Sequence, residues 1–302
     1  MSSFASAQSP FRQTLRRIFS NTSVIVGGVM VLIITLIGIF APVLDTRDPT
    51  AISPANRNQP PGFETTIRDR ETGQKIAVEY KLGSDTLGRD IYSRIAYGAR
   101  ASLIVGISVA GIAVFVGMIF GVIAGYFRWA DGIIMRIMDG LMAIPAILLA
   151  IAVVSVFNAG LLAVIVAIVV AEIPRVVRLV RSVVLSIREE PYVEAAITAG
   201  TPVPLLLLRH VLPNTIAPLI VQGTFIVASA IIIEAILSFL GIGIPPEIPT
   251  WGNIMAEGRQ VFQLYPHNIL YPSIILALTV LSVNILGDGL RDTMDPRFAK
   301  QV

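Results

Sequence analysis

Glu194-Ala195-Ala196-Ile197-Thr198-Ala199-Gly200, closed by Leu212-Pro213, lies in a charged segment between long apolar runs. Pro191 suits the first turn of a helix, where its missing N–H goes unused. Glu189 and Glu190 favour the same helix end through the dipole. Tyr192 to Ala199 are mostly helix-compatible, and Gly200 can take the left-handed conformation that stops a helix. Pro202 and Pro204 permit a restart, Leu205 to Leu208 run apolar, and Pro213 leads back into apolar sequence. The segment predicts a short helix, a glycine elbow and a second helix. Such an element can seat in a groove on a partner and transmit push and twist. The plainer alternative is an amphipathic linker resting on lipid headgroups.

Composition places the rest of the chain in a bilayer. Its 302 residues are 54% hydrophobic and 14% charged, with a mean hydropathy of +0.76. Soluble domains carry about 25% charged residues. The net charge of +3 sits beside apolar spans rather than in one patch, which reads as membrane orientation and not nucleic-acid binding. There is no cysteine, so thiol catalysis, disulfides and cysteine metal sites are excluded. His210 and His267, the two histidines, are expected on opposite sides of the membrane, which disfavours a histidine metal site.

Six spans are expected, at roughly 23–44, 101–125, 134–157, 160–180, 215–240 and 268–288. Each must be a helix, because lipid satisfies no backbone polar group. Arg12, Arg16 and Arg17 before the first run imitate a signal peptide, but that run is too long for one and reads as a retained span. Apolar sequence continues almost unbroken from Leu141 to Ala171, with Asn158-Ala159-Gly160 as its turn signal. One helix there would be about 46 Å long, well beyond a core of about 30 Å. Two helices also keep Arg175, Arg178, Arg181, Arg188 and Arg209 on the cytoplasmic side. The expected organisation is a cytoplasmic segment 1–22, a first membrane helix 23–44, a periplasmic loop 45–100, a five-helix core 101–290 and a cytoplasmic tail 291–302. The core would carry the cytoplasmic loop 181–214, and the proline-rich 45–100 loop would pack as a small cap.

The Glu-Ala-Ala, Gly and Leu-Pro spacing resembles the signature loop of the membrane subunits of ATP-binding-cassette importers. His210 occupies a position where that loop usually has isoleucine. Leu82-Gly83-Ser84-Asp85-Thr86-Leu87-Gly88-Arg89-Asp90, Ser93-Arg94 and Tyr97-Gly98-Ala99-Arg100 resemble the dipeptide, oligopeptide and nickel permeases. So do Arg136-Ile137-Met138-Asp139 with Ile144-Pro145, Glu234 through Gly241, Pro249-Thr250-Trp251-Gly252-Asn253, and Gly287 through Asp292 with Asp295-Pro296-Arg297. The arrangement is similar to the second permease of such systems.

This resemblance implies an all-α integral membrane protein with six transmembrane helices, the type I importer transmembrane domain. It implies a second homologous permease, two ATPase subunits that hold ATP and Mg, and a periplasmic substrate-binding protein as partners. No cofactor, metal or nucleic acid would be bound by this chain, and it would catalyse no reaction. Both termini would be cytoplasmic in a bacterial inner membrane. Di- or oligopeptide is the leading cargo and nickel the runner-up. Glu194, Ala195, Ala196, Gly200, Leu212 and Pro213 are the candidate ATPase-coupling residues.

Other features have less to say. Gly83 through Asp90 approximates a phosphate loop, but the lysine and the magnesium-binding hydroxyl are absent. Gly117, Gly121 and Gly125 recur at a spacing that lets helices approach closely, within this chain or against a second permease. Glu234 lies inside a span and must face the bundle interior or water, with Gln222, Ser229 and Ser238 as polar company along a translocation path or in a structural interface. Asp139 and Glu172 are expected to pair with Arg136 and Arg175. An ion-coupled secondary transporter using Glu234 as a proton site is the alternative from another class, although no internal repeat supports it.

Overall fold

A computed structural model describes residues 16–44, 46–68, 75–157 and 160–294. The expected turn at Asn158-Ala159, Arg12, and the Asp295-Pro296-Arg297 motif lie outside the described residues. The protein is mostly helical. Helix α1 is Thr22–Ile39, opened by Asn21, whose side chain accepts from the amides of Ser23 and Val24. Two antiparallel strands follow, β1 (Phe63–Arg68) and β2 (Lys75–Tyr80), with Phe63 opposite Tyr80.

Helix α2, Ile91–Tyr126, is 36 residues long. It starts ten residues before the expected boundary at 101, because Asp90 caps it by accepting from the Ser93 amide at 2.9 Å. The loop expected at 45–100 is thus partly a hairpin and partly the first turns of α2.

The expected third span, 134–157, is not one helix. It is α3 (Arg128–Met142) and α4 (Ala146–Val156), bent by 93°. Pro145 supplies the break: it has no N–H to donate, and it pushes Ile144 out of the helical region. Helix α5 is Leu161–Arg188, followed by α6 (Pro191–Thr198), α7 (Val203–Leu206) and α8 (Leu212–Phe239). A short α9 (Trp251–Gly258) precedes α10 (His267–Met294).

Among the described residues four helical stretches are long and apolar enough to cross a membrane, or five if the bent α3–α4 pair is one span. They are α1, α2, α10 and the continuous Val203–Phe239 stretch. The expected span 160–180 falls within α5, which carries Glu172, Arg175 and Arg178.

Helix α2 is the axis of the bundle. A Cβ added at Gly117, Gly121 or Gly125 would lie 2.5, 2.6 and 2.6 Å from the Cβ atoms of Val176, Val180 and Val184 on α5. This glycine ridge therefore seats the α5 valines inside the same chain. Val109, Ala113, Ile168 and Ile226 continue the core where α2, α5 and α8 meet. Helix α1 lies on α10, where a Cβ at Gly27 would sit 2.5 Å from the Leu286 nitrogen.

Candidate coupling elbow and translocation path

The elbow forms from local sequence. Pro191 stands in the first turn of α6, and Ala199 ends it. Gly200 has φ +78°, and its amide donates to Ile197 at 2.9 Å while the Thr201 amide donates to Ala196 at 3.1 Å. This pair of bonds is the Schellman stop, and it satisfies carbonyls that the helix end would leave open. Three residues root the unit: Val193, Leu206 and Val211 are fully buried in the main core. Most of α6 beyond that root is presented outward. Glu194, Ala195, Ile197, Thr198, Ala199 and Gly200 are exposed, and Ala196 is half-buried.

The second helix of the elbow is not separate from the membrane. From α7 the chain passes through a π turn, Leu207–Val211, straight into α8. Pro213 lies in the first turn of α8, exposed, with Leu212 half-buried before it. A proline within a continuous helix lacks an N–H and crowds the carbonyl four residues back, and a π turn absorbs both defects. His210 lies in that turn, its ring 6.2 Å from Tyr192 of α6. Asn214 Nδ2 donates to the Tyr192 hydroxyl at 3.1 Å, tying the two arms together.

The four path candidates on α8 do not form one group. Ser238 Oγ donates to Glu234 at 2.8 Å, and Ser102 Oγ of α2 approaches the same carboxylate at 3.5 Å. Glu234 is fully buried there. Ser229 instead donates to Glu172 of α5 at 2.8 Å, and Gln222 lines a cleft with Leu179, Phe225 and Arg291. Helix geometry gives the reason: at 3.6 residues per turn, Ser238 lies on the face of Glu234, while Ser229 and Gln222 turn away together.

Glu172 is fully buried, and both its oxygens accept from Arg175 Nη1 at 3.1 Å. The Glu172–Arg175 pair is as expected from the sequence. Asp139, however, pairs with Arg178 at 2.6 Å rather than with Arg136, and Arg181 makes a two-pronged contact to Asp131 at 2.5 and 2.6 Å. These pairs strap the amphipathic α3 across the end of α5. Arg188 Nη1 also donates to the Tyr126 carbonyl at 3.2 Å, so the ends of α2 and α5 lie together.

At the opposite end the sequence holds a cluster that residue spacing does not reveal. Arg94, fully buried at the start of α2, donates to Asp85 at 2.5 Å and to Glu257 of α9. Arg89 donates to Asp85 at 2.7 Å and to Glu257. Gly83 through Asp90 is therefore an ordered turn clamped, with the start of α2, onto α9. Trp251 Nε1 donates to the Ile95 carbonyl at 3.2 Å, and Gly252 admits the α8 backbone, a Cβ there lying 2.6 Å from the Ala235 oxygen. Thr-Trp-Gly-Asn thus seats α9 between α2 and α8. Among the described residues no group of three or more His, Asp or Glu could hold a metal.

Comparison with known proteins agrees with this architecture. Residues 113–300 match the family model described as binding-protein-dependent transport system inner membrane component. Residues 9–61 match the N-terminal TM domain of oligopeptide transport permease C. A probable peptide ABC transporter permease protein of Sinorhizobium fredii is 49% identical over 91% of this chain and 89% of its own length. The dipeptide transport system permease protein DppC of Alkalihalophilus pseudofirmus is 40% identical over 96% of this chain and 91% of its own. The oligopeptide transport system permease protein OppC of Bacillus subtilis is 33% identical over 96% and 90%. Among solved structures, a chain of the inward-facing MetNI methionine ABC transporter superposes with a TM-score of 0.53 at 19% identity, covering 66% of this chain and 95% of that one.

Proposed function

The chain belongs to the binding-protein-dependent transport system inner membrane components, the multi-pass permeases of ATP-binding-cassette importers, and from that membership we propose that it carries di- or oligopeptides inward with a second permease. The names of its relatives support the cargo class. In this reading two ATPase subunits bind ATP and Mg on the cytoplasmic side, and an external receptor delivers cargo. The membrane is the bacterial inner membrane, with both termini in the cytoplasm. The chain itself makes and breaks no bonds.

One observation carries the proposal: an exposed helical elbow stands on a root buried in the hydrophobic core of the helix bundle. Glu194, Ala195 and Ala196 form its contact surface, and Gly200 fixes its angle. Val193 and Leu206 pass any displacement into the core. Leu212 and Pro213 join the second arm to α8 without a break in the helix. Movement of an ATPase against α6 therefore becomes movement of α8, the helix carrying Gln222 and Ser229. A nucleotide can bias that movement only by its differential affinity for two states, and the elbow supplies the differing contact. Glu234 and Ser238, enclosed against α2, act on the path through helix packing.

The test is ATP-driven peptide uptake by the complete complex in liposomes. Gly200→Pro cannot adopt positive φ and loses the donated bond to Ile197. Expected is loss of uptake and of receptor-stimulated ATP hydrolysis, with normal membrane insertion and subunit assembly. Normal uptake by an assembled variant contradicts the coupling role.

A further inference from the structure

The exposed surface of α5 changes character along its length. Leu162 and Val166 expose an apolar face near its start, whereas Arg175, Arg178, Ser182 and Ser186, at helical spacing from one another, expose the opposite face further along. Arg175 stands 14 residues from the start of α5, about 21 Å along it. Its side chain is 49% exposed. A charged side chain on a permease helix faces water or another polar group rather than lipid.

Its surroundings are those of a held group. Glu172, with no exposed surface, accepts from Arg175 Nη1 on both oxygens, and Ser229 of α8 donates to Oε1 of the same carboxylate. Among the described residues, Nη2 and Nε carry no hydrogen bond. Leu179, one turn along α5, lines a cleft of about 470 Å³ together with Gln222 and Arg291. Arg175 thus stands one turn of α5 from that cleft, with two of its three guanidinium nitrogens unused.

We infer that Arg175, positioned by Glu172 and Ser229, receives the terminal carboxylate of peptide cargo on its way to this cleft. The inference rests on the importer reading above. A guanidinium fork matches a carboxylate by paired, charge-assisted hydrogen bonds, which an ammonium matches less well. Glu172 has a second effect: it offsets the arginine charge, so the hold is firm enough for entry and weak enough for release. Ser229 lies on α8, and rotation of α8 by the elbow alters how Glu172 is held. The station is therefore placed where coupling can change its affinity.

The experiment uses the complete complex in liposomes with receptor saturating for each cargo, and compares uptake of trialanine and trialanine amide. The unaltered complex is expected to favour the free acid. Arg175→Gln is expected to lose about tenfold in uptake of the acid, with uptake of the amide and basal ATP hydrolysis unchanged. Arg175→Lys keeps the charge without the fork and should retain part of the preference. An equal loss for both cargoes, or an acid-to-amide ratio unchanged in both variants, overturns the assignment of Arg175 alone. Absence of ATP-driven uptake by the unaltered complex overturns the importer reading, and this station with it.

Discussion

The amide of Thr201 donates to the carbonyl of Ala196 at 3.1 Å, across a glycine held at φ +78°. That bond turns the chain out of α6 at a fixed angle. Nothing lies within 4 Å of a Cβ added at Gly200, so a substitution here meets conformational strain and no steric neighbour. Gly200→Ala should cost about 1 kcal/mol locally and lower coupled uptake several-fold, with assembly intact. Gly200→Asn, whose side chain is compatible with the left-handed region, should recover most of the loss. Uptake rates of the two variants in liposomes check the ordering, and equal rates would separate the elbow angle from transport.

The glycine ridge on α2 makes a prediction about stability. A Cβ at Gly121 would lie 2.6 Å from the Val180 Cβ and 3.0 Å from the Val177 carbonyl oxygen. Gly121→Leu should therefore separate α2 from α5, with an overpacking cost of about 1–3 kcal/mol or more. Val180→Ala in the same chain should return part of the loss, because the two changes share one contact. Thermal unfolding of the purified chain in detergent reads both.

The clamp between α2 and α9 predicts a larger effect. Glu257 neutralises Arg89 and Arg94, whose side chains are 7% and 1% exposed. Glu257→Gln leaves buried guanidinium charge with Asp85 as its remaining acid, and breaking a buried pair costs about 3–5 kcal/mol. The transition temperature should fall clearly, and α9 should lose protection in hydrogen exchange. Arg89→Ala combined with Glu257→Gln should cost less than the two single changes added together.

The elbow was the most legible part of the chain because its causes are local. Pro191 starts the helix, Gly200 stops it, and the intervening residues tolerate helix. The same locality explains why the glycine ridge was visible while its partner was not, since Val176, Val180 and Val184 become neighbours only through the fold. Hydropathy marks the span from near Ala101, whereas the helix that contains it begins at the Asp90 cap. Apolar sequence on both sides of Ile144-Pro145 hides the bend between α3 and α4. The hairpin's one local signal is the alternation of Phe63, Thr65 and Ile67, and of Ile76, Val78 and Tyr80, at the strand period. Ser229 and Gln222 share a helix with Glu234 but not its face. No spacing rule could join Glu257 to Arg94, which are 163 residues apart.

The central claim, that α6 and its glycine elbow meet an ATPase in the cytoplasm, is most directly tested at Thr198. This exposed residue lies in the last turn of α6, and the chain has no native cysteine, so Thr198→Cys places a single thiol on the elbow. In intact cells a membrane-impermeant maleimide should leave that thiol unmodified, while in opened membranes a short bifunctional reagent should cross-link it to the ATPase subunit. Modification from outside intact cells would put the elbow in the wrong compartment and contradict the account.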